Sequence, residues 1–216
     1  MKALISLLIF ILFFYINAQG QTSTKETSVE LPKKVKVPLI RNCQINVDGL
    51  FPEEEWNHAL NFKISESFEI FFLANSENLY IGIKYAGKIA DYKQALDCVS
   101  ELYISTNNEE FYNLHSSARL AEGINKFSGS LKQAKYSLEE VNGWEANSGS
   151  HVKNNDLNCK GVEYRISLDK ITGQSVKLAV NILAVNFSFR ESVVFPADYS
   201  FKDSDKWLEL IIQNSY

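Results

Sequence analysis

Few residues of this 216-residue chain stand in combinations that do chemistry. Ser150-His151 sets a hydroxyl beside an imidazole, but neighbouring positions on an extended chain point to opposite faces and no third member completes a relay. The histidine reads as a loop residue. Asp203-Ser204-Asp205 offers two carboxylates to a hard cation without the full run of oxygen ligands that a calcium loop supplies, so a solvated turn is expected there. The sequence holds no His-Glu-x-x-His, no Gly-x-Ser-x-Gly and no glycine-rich phosphate loop. Nothing in the spacing of the 26 acidic residues sets two apart as a catalytic pair. Catalytic residues, metal ligands and a cofactor are therefore not expected.

Cys43, Cys98 and Cys159 lack the Cys-x-x-Cys spacing of zinc or thioredoxin-like sites. Three pairings stay open, with Cys98–Cys159 favoured and three buried thiols as the alternative. The net charge of -4 argues against nonspecific nucleic-acid binding, which needs a basic surface. With 45% hydrophobic and 22% charged residues, the composition is that of an ordinary globular domain.

The first 20 residues read as a secretory signal peptide: Lys2, an apolar run from Ala3 to Ile16, then the small residues of Asn17-Ala18-Gln19-Gly20. That run is shorter than the ~20 residues that cross a bilayer. Residues 21–37 are polar, with Lys33, Lys34 and Lys36 between prolines or valines, and are expected to form a flexible arm. A single domain over 38–216 is expected to follow, secreted outside the cell or into a periplasm and without a membrane span.

The elements read as strands. Asp48-Gly49 suits a turn, and Pro52 with Glu53, Glu54 and Glu55 suits the start of one helical turn. Trp56 is expected to close the end of the core. Phe68 to Ala74 is apolar on both faces, and Leu79, Ile81, Ile83 and Tyr85 alternate after an Asn-Ser-Glu-Asn turn, predicting a hairpin. Val99–Ser105 and Phe111–Ser116 predict a second pair. Val162, Tyr164, Ile166 and Leu168 alternate with Glu163, Arg165 and Ser167 as a half-buried strand should. Leu178–Phe187 predicts a central strand, so the Asn186-Phe187-Ser188 sequon is expected to stay unmodified, and Trp207–Ile212 predicts the closing strand. Glu139–Asn158 reads as loop.

Val47-Asp48-Gly49, Glu54-Glu55-Trp56, Asn78-Leu79-Tyr80-Ile81, Glu101-Leu102-Tyr103-Ile104, Trp144, Val162-Glu163-Tyr164-Arg165-Ile166 and Trp207 follow one another in an order that resembles the family-9 carbohydrate-binding modules and the related DOMON-like domains. The resemblance spans about Asn42 to Ile212. It implies an all-β fold, a β-sandwich of two antiparallel sheets with one short helical turn near the N-terminus, and an exported, noncatalytic domain that binds a glycan or polysaccharide. In such domains aromatic rings stack on a sugar and polar side chains take its hydroxyls. Carried onto this chain, Trp144 is the expected platform, Tyr112 or Tyr85 the second ring, and Asn113, Arg119 and Glu163 the hydroxyl partners. Some DOMON-like domains hold haem, but the only methionine is Met1, inside the leader, which excludes methionine–histidine ligation. The alternative is an extracellular interaction protein with the same sandwich, a protein partner and no sugar site.

Overall fold

Strands dominate because β-branched and aromatic residues recur at every second position and short polar turns separate the runs. The structure is a computed structural model that describes residues 32–90, 97–106, 110–117, 122–128, 135–137, 143–147, 160–171, 173–186, 189–200 and 203–212. Its strands are β1 Lys34–Val37, β2 Leu60–Lys63, β3 Phe68–Ala74, β4 Asn78–Tyr85, β5 Asp97–Ser105, β6 Glu110–Ser117, β7 Glu122–Ser128, β8 Lys135–Ser137, β9 Glu145–Asn147, β10 Gly161–Ser167, β11 Ser175–Asn186, β12 Phe189–Phe195 and β13 Leu208–Ile212. Short helical turns lie at Glu53–Trp56 and Gly87–Ala90.

The larger sheet has eight strands in the order β1-β13-β11-β5-β6-β7-β8, with β12 also paired to β11; the smaller has five, β2-β3-β4-β10-β9. Pairing is antiparallel except for β1 beside β13. The expected β-sandwich is present. Its core lies between the sheets, where Phe68, Ile70 and Phe72 of β3, Ile81 and Ile83 of β4, and Val162, Tyr164 and Ile166 of β10 meet Leu102, Ile104, Leu178, Val180 and Ile182. The Tyr164 hydroxyl crosses that apolar space and donates to Ser100 Oγ at 2.7 Å.

Several elements differ from the sequence expectation. The stretch expected as an arm contributes β1 through its last four residues, with Val35 and Val37 buried in the core. Pro52 stands just before the helical turn, not inside it. Trp56 packs on the outer face of the smaller sheet with Phe51, Phe71, Leu73 and Tyr80, not across the end of the core. The region read as loop carries β9, too short for its periodicity to register. The expected strand β10 is covered on both sides, and Glu163, on its nominal solvent face, is 0% exposed.

The cover over that face is the segment from Ile40 to Ala59. Gly49, at φ 74°, turns the chain where a side chain would be strained, and Phe51 follows at φ 53°. Phe51 and Trp56 stack at 5.3 Å directly over Gly82, where a Cβ would come within 2.7 Å of Phe51 and 2.9 Å of Trp56. The cross-strand neighbour of Gly82 is Glu163.

Candidate functional site

The expected site residues fall into different surroundings. Trp144 is 6% exposed and packs on Tyr112, ring centroids 4.6 Å apart, on the inner side of the sandwich. Lys126 lies 5.9 Å from the Tyr112 ring. The Trp144 indole N–H and the Ser116 hydroxyl are buried with no hydrogen-bond partner among the described residues. Tyr85 is buried against Phe68, 6.1 Å away, in the main core. Structure thus brings Trp144 and Tyr112 together, keeps Tyr85 apart from them, and presents none of the three rings openly to solvent.

Glu163 is tied up by the N-terminal cover. Its Oε1 accepts the Trp56 indole N–H at 2.9 Å, and its Oε2 accepts the backbone N–H groups of Gly49 at 2.7 Å and Asp48 at 3.0 Å. Burial pushes the carboxyl up to about 7, against the pull of those three donors. Arg119, like His151 and Cys159, lies outside the described residues. Cys43 carries a free thiol directed at the Ala74 carbonyl.

Asn113 leads to a different place, the outer face of the eight-stranded sheet. Because side chains alternate along a strand, the inward set of Leu102, Ile104, Tyr112, Leu114, Leu178, Val180 and Ile182 leaves Glu101, Tyr103, Asn113, His115, Ala179 and Asn181 facing out. Strand register gathers them into two adjoining rows. One row reads Asn113, Tyr103, Ala179; the next reads His115, Glu101, Asn181 and Val194. Val194, at 39% exposure, is one of two large apolar side chains open to solvent among the described residues.

One end of this face is walled by the chain between β12 and β13. Trp207 packs on the small Ala179 and on Phe111, and its indole N–H donates to the Ser200 carbonyl at 3.0 Å, fixing the loop. Tyr199 then stacks on Tyr103, centroids 5.8 Å apart and planes 25° from parallel. Both tyrosines are half-buried. The Tyr103 hydroxyl donates to Glu101 Oε2 at 2.6 Å. His115 Nδ1 lies 3.9 Å from Glu101 Oε1, an electrostatic contact too long for a direct hydrogen bond. Burial raises the Glu101 carboxyl, but His115, the Tyr103 hydroxyl and the Asn181 amide outweigh it and hold the group below its usual value. Glu101 is therefore ionised at neutral pH. Burial first, then that charge, pushes the Tyr103 and Tyr199 hydroxyls up, so both remain protonated donors.

This arrangement offers aromatic rings, an aliphatic patch, the Asn181 amide and a carboxylate on one half-open surface, which is what a polar ring with an apolar face requires. Of the expected residues only Asn113 lies on this face, and it is buried there at 6% exposure. The signal for the others was the polar alternation Glu101-x-Tyr103 and Asn113-x-His115, meaningful only once the two strands and β11 are set side by side. Among the described residues no group of three or more histidine, cysteine or acidic side chains could hold a metal ion, and no helix is long and apolar enough to cross a membrane.

No protein-family model matches the chain, and no curated protein matches it. Among solved structures, the chain is similar to a protein from Bacteroides uniformis described as a "putative carbohydrate-binding protein". The match has a TM-score of 0.53 at 9% identity and covers 83% of this chain and 99% of that one, a likeness of fold.

Proposed function

We propose that this protein is an exported, noncatalytic carbohydrate-binding domain, related to the family-9 modules, that takes a glycan on the outer face of its larger sheet. One observation carries the reading: the row Val194, Asn181, Glu101, His115 lies beside the stacked pair Tyr103 and Tyr199. A pyranose ring laid there would place its apolar face on Val194 or a tyrosine and its hydroxyls toward Asn181 and Glu101. The Bacteroides uniformis neighbour, similar in fold, supports the same class through its description. The secretory leader read from residues 1–20 supports export.

The burial of Trp144 favours a second reading, an extracellular interaction protein without a sugar site, because the ring expected as platform is enclosed. A glycan array and a pull-down on insoluble polysaccharides separate the two. The carbohydrate reading expects retention that Tyr103→Ala lowers at least tenfold. If the wild-type protein binds no glycan in either format, that reading fails and the interaction reading takes its place. Loss of binding in Trp144→Phe but not in Tyr103→Ala would move the site to the interior pair.

A further inference from the structure

Glu101 has one ionisable basic partner among the described residues, the His115 imidazole 3.9 Å away, which is a cation only when protonated. Its Oε2 accepts the Tyr103 hydroxyl at 2.6 Å, and the Asn181 amide adds to the pull of His115 on the carboxyl. Lys177 shares the outer face of β11 but pairs with Asp205 at 2.8 Å. Arg190, exposed on β12, stands opposite Val185, two rows along from Asn181 and about 13 Å along the strand at the usual rise. The Tyr103 hydroxyl is bonded to this carboxylate, and Tyr199 stacks on the Tyr103 ring. A part-buried anion beside a stacked pair of rings is a place where a cation gains from both sources, the carboxylate at short range and the ring quadrupoles within about 6 Å.

We infer that the glycan taken on this face carries a free, protonated amine, whose ammonium donates to Glu101 against the Tyr103 and Tyr199 rings. This rests on the carbohydrate reading and narrows it to basic amino sugars. Asn181 then serves a hydroxyl beside the amine, and Val194 meets the ring carbons. An N-acetyl group at that position removes the charge and sets a carbonyl oxygen near the Glu101 oxygens, so the acetylated sugar is disfavoured.

Calorimetric titration at 150 mM salt, with short glucosamine oligomers, their N-acetylated counterparts and glucose oligomers of equal length, tests the inference. The amine-bearing oligomers should bind at least tenfold tighter than either of the others. Glu101→Gln should erase that preference, and so should His115→Arg, which supplies the carboxylate with a cation of its own. Glu53→Gln, exposed on the cover of the opposite sheet, should leave it unchanged, which separates a local carboxylate from the general acidity of a chain of net charge -4. Neutral oligomers binding as tightly as the amines would overturn the amine inference and leave the carbohydrate reading standing, as would a preference that survives Glu101→Gln. Failure of every oligomer to bind would overturn both.

Discussion

Glu163 Oε2 accepts the backbone N–H of Gly49 at 2.7 Å across 114 residues of sequence. That bond joins the turn at the start of the domain to the fourth strand of the smaller sheet, and Trp56 adds its indole N–H to the other carboxylate oxygen. The N-terminal cover is thus fastened by polar contacts beneath an apolar cluster.

Replacing Glu163 by Gln keeps the shape but leaves one acceptor oxygen where there were two. Either the Trp56 indole or the backbone pair of Asp48 and Gly49 then faces an amide NH2. The expected loss is about 1–3 kcal/mol for a buried donor left without an acceptor. Denaturant unfolding followed by tryptophan fluorescence measures it; unchanged stability would mean that the fastening contributes nothing.

The same carboxyl predicts a pH dependence. Its folded value of about 7 lies above the ordinary 4.5, so the folded state holds the proton more tightly than the unfolded chain. Its contribution is fully present below pH 4.5 and is lost as pH rises through 7. The shift corresponds to on the order of 3 kcal/mol. Because Glu101 and Glu209 are shifted the opposite way and favour folding at higher pH, the quantity to compare is the difference between wild type and Glu163→Gln, measured from pH 4 to 8. That difference should shrink steadily with rising pH.

Two glycines under the cover should differ in tolerance. An added Cβ at Gly82 meets the rings of Phe51 and Trp56, which can shift, at an expected cost of about 1–3 kcal/mol. At Gly161 it meets the backbone carbonyl of Ile83, which cannot move without breaking the β4–β10 ladder. Thermal melts should place Gly161→Ala well below Gly82→Ala.

Within the core, Tyr164→Phe removes the hydroxyl that Ser100 accepts. A loss of about 1 kcal/mol is expected, and Tyr164→Phe combined with Ser100→Ala should cost less than the two single changes summed. Strict additivity in that double-mutant cycle would show that the contact across the sheets is not energetically coupled.

Much of the sandwich was legible because its strands alternate cleanly: Leu79 to Tyr85 and Val162 to Ile166 declare their core faces in the sequence alone. The opposite faces were not legible. Glu163 looks like a solvent residue, and only the return of a segment more than a hundred positions earlier buries it. The outer-face cluster was hidden for a related reason. Glu101, His115 and Asn181 belong to three strands whose order and register no local pattern states. Trp144 misled in the other direction, since its glycine-flanked setting reads as an exposed tip while β9 tucks the ring inward.

On a single edge of β11, residues Ser175–Leu178 pair with β13 and Val180–Asn186 with β12. The chain leaves that edge at Phe195 and rejoins it at Leu208, swinging out over Ala179 in between. The closing strand and Tyr199, one half of the stacked pair, are consequently parts of one continuous stretch of polypeptide. Occupancy of the outer face should therefore be felt as slower hydrogen exchange along β13, and shortening the C-terminus should loosen the grip before it dissolves the sandwich.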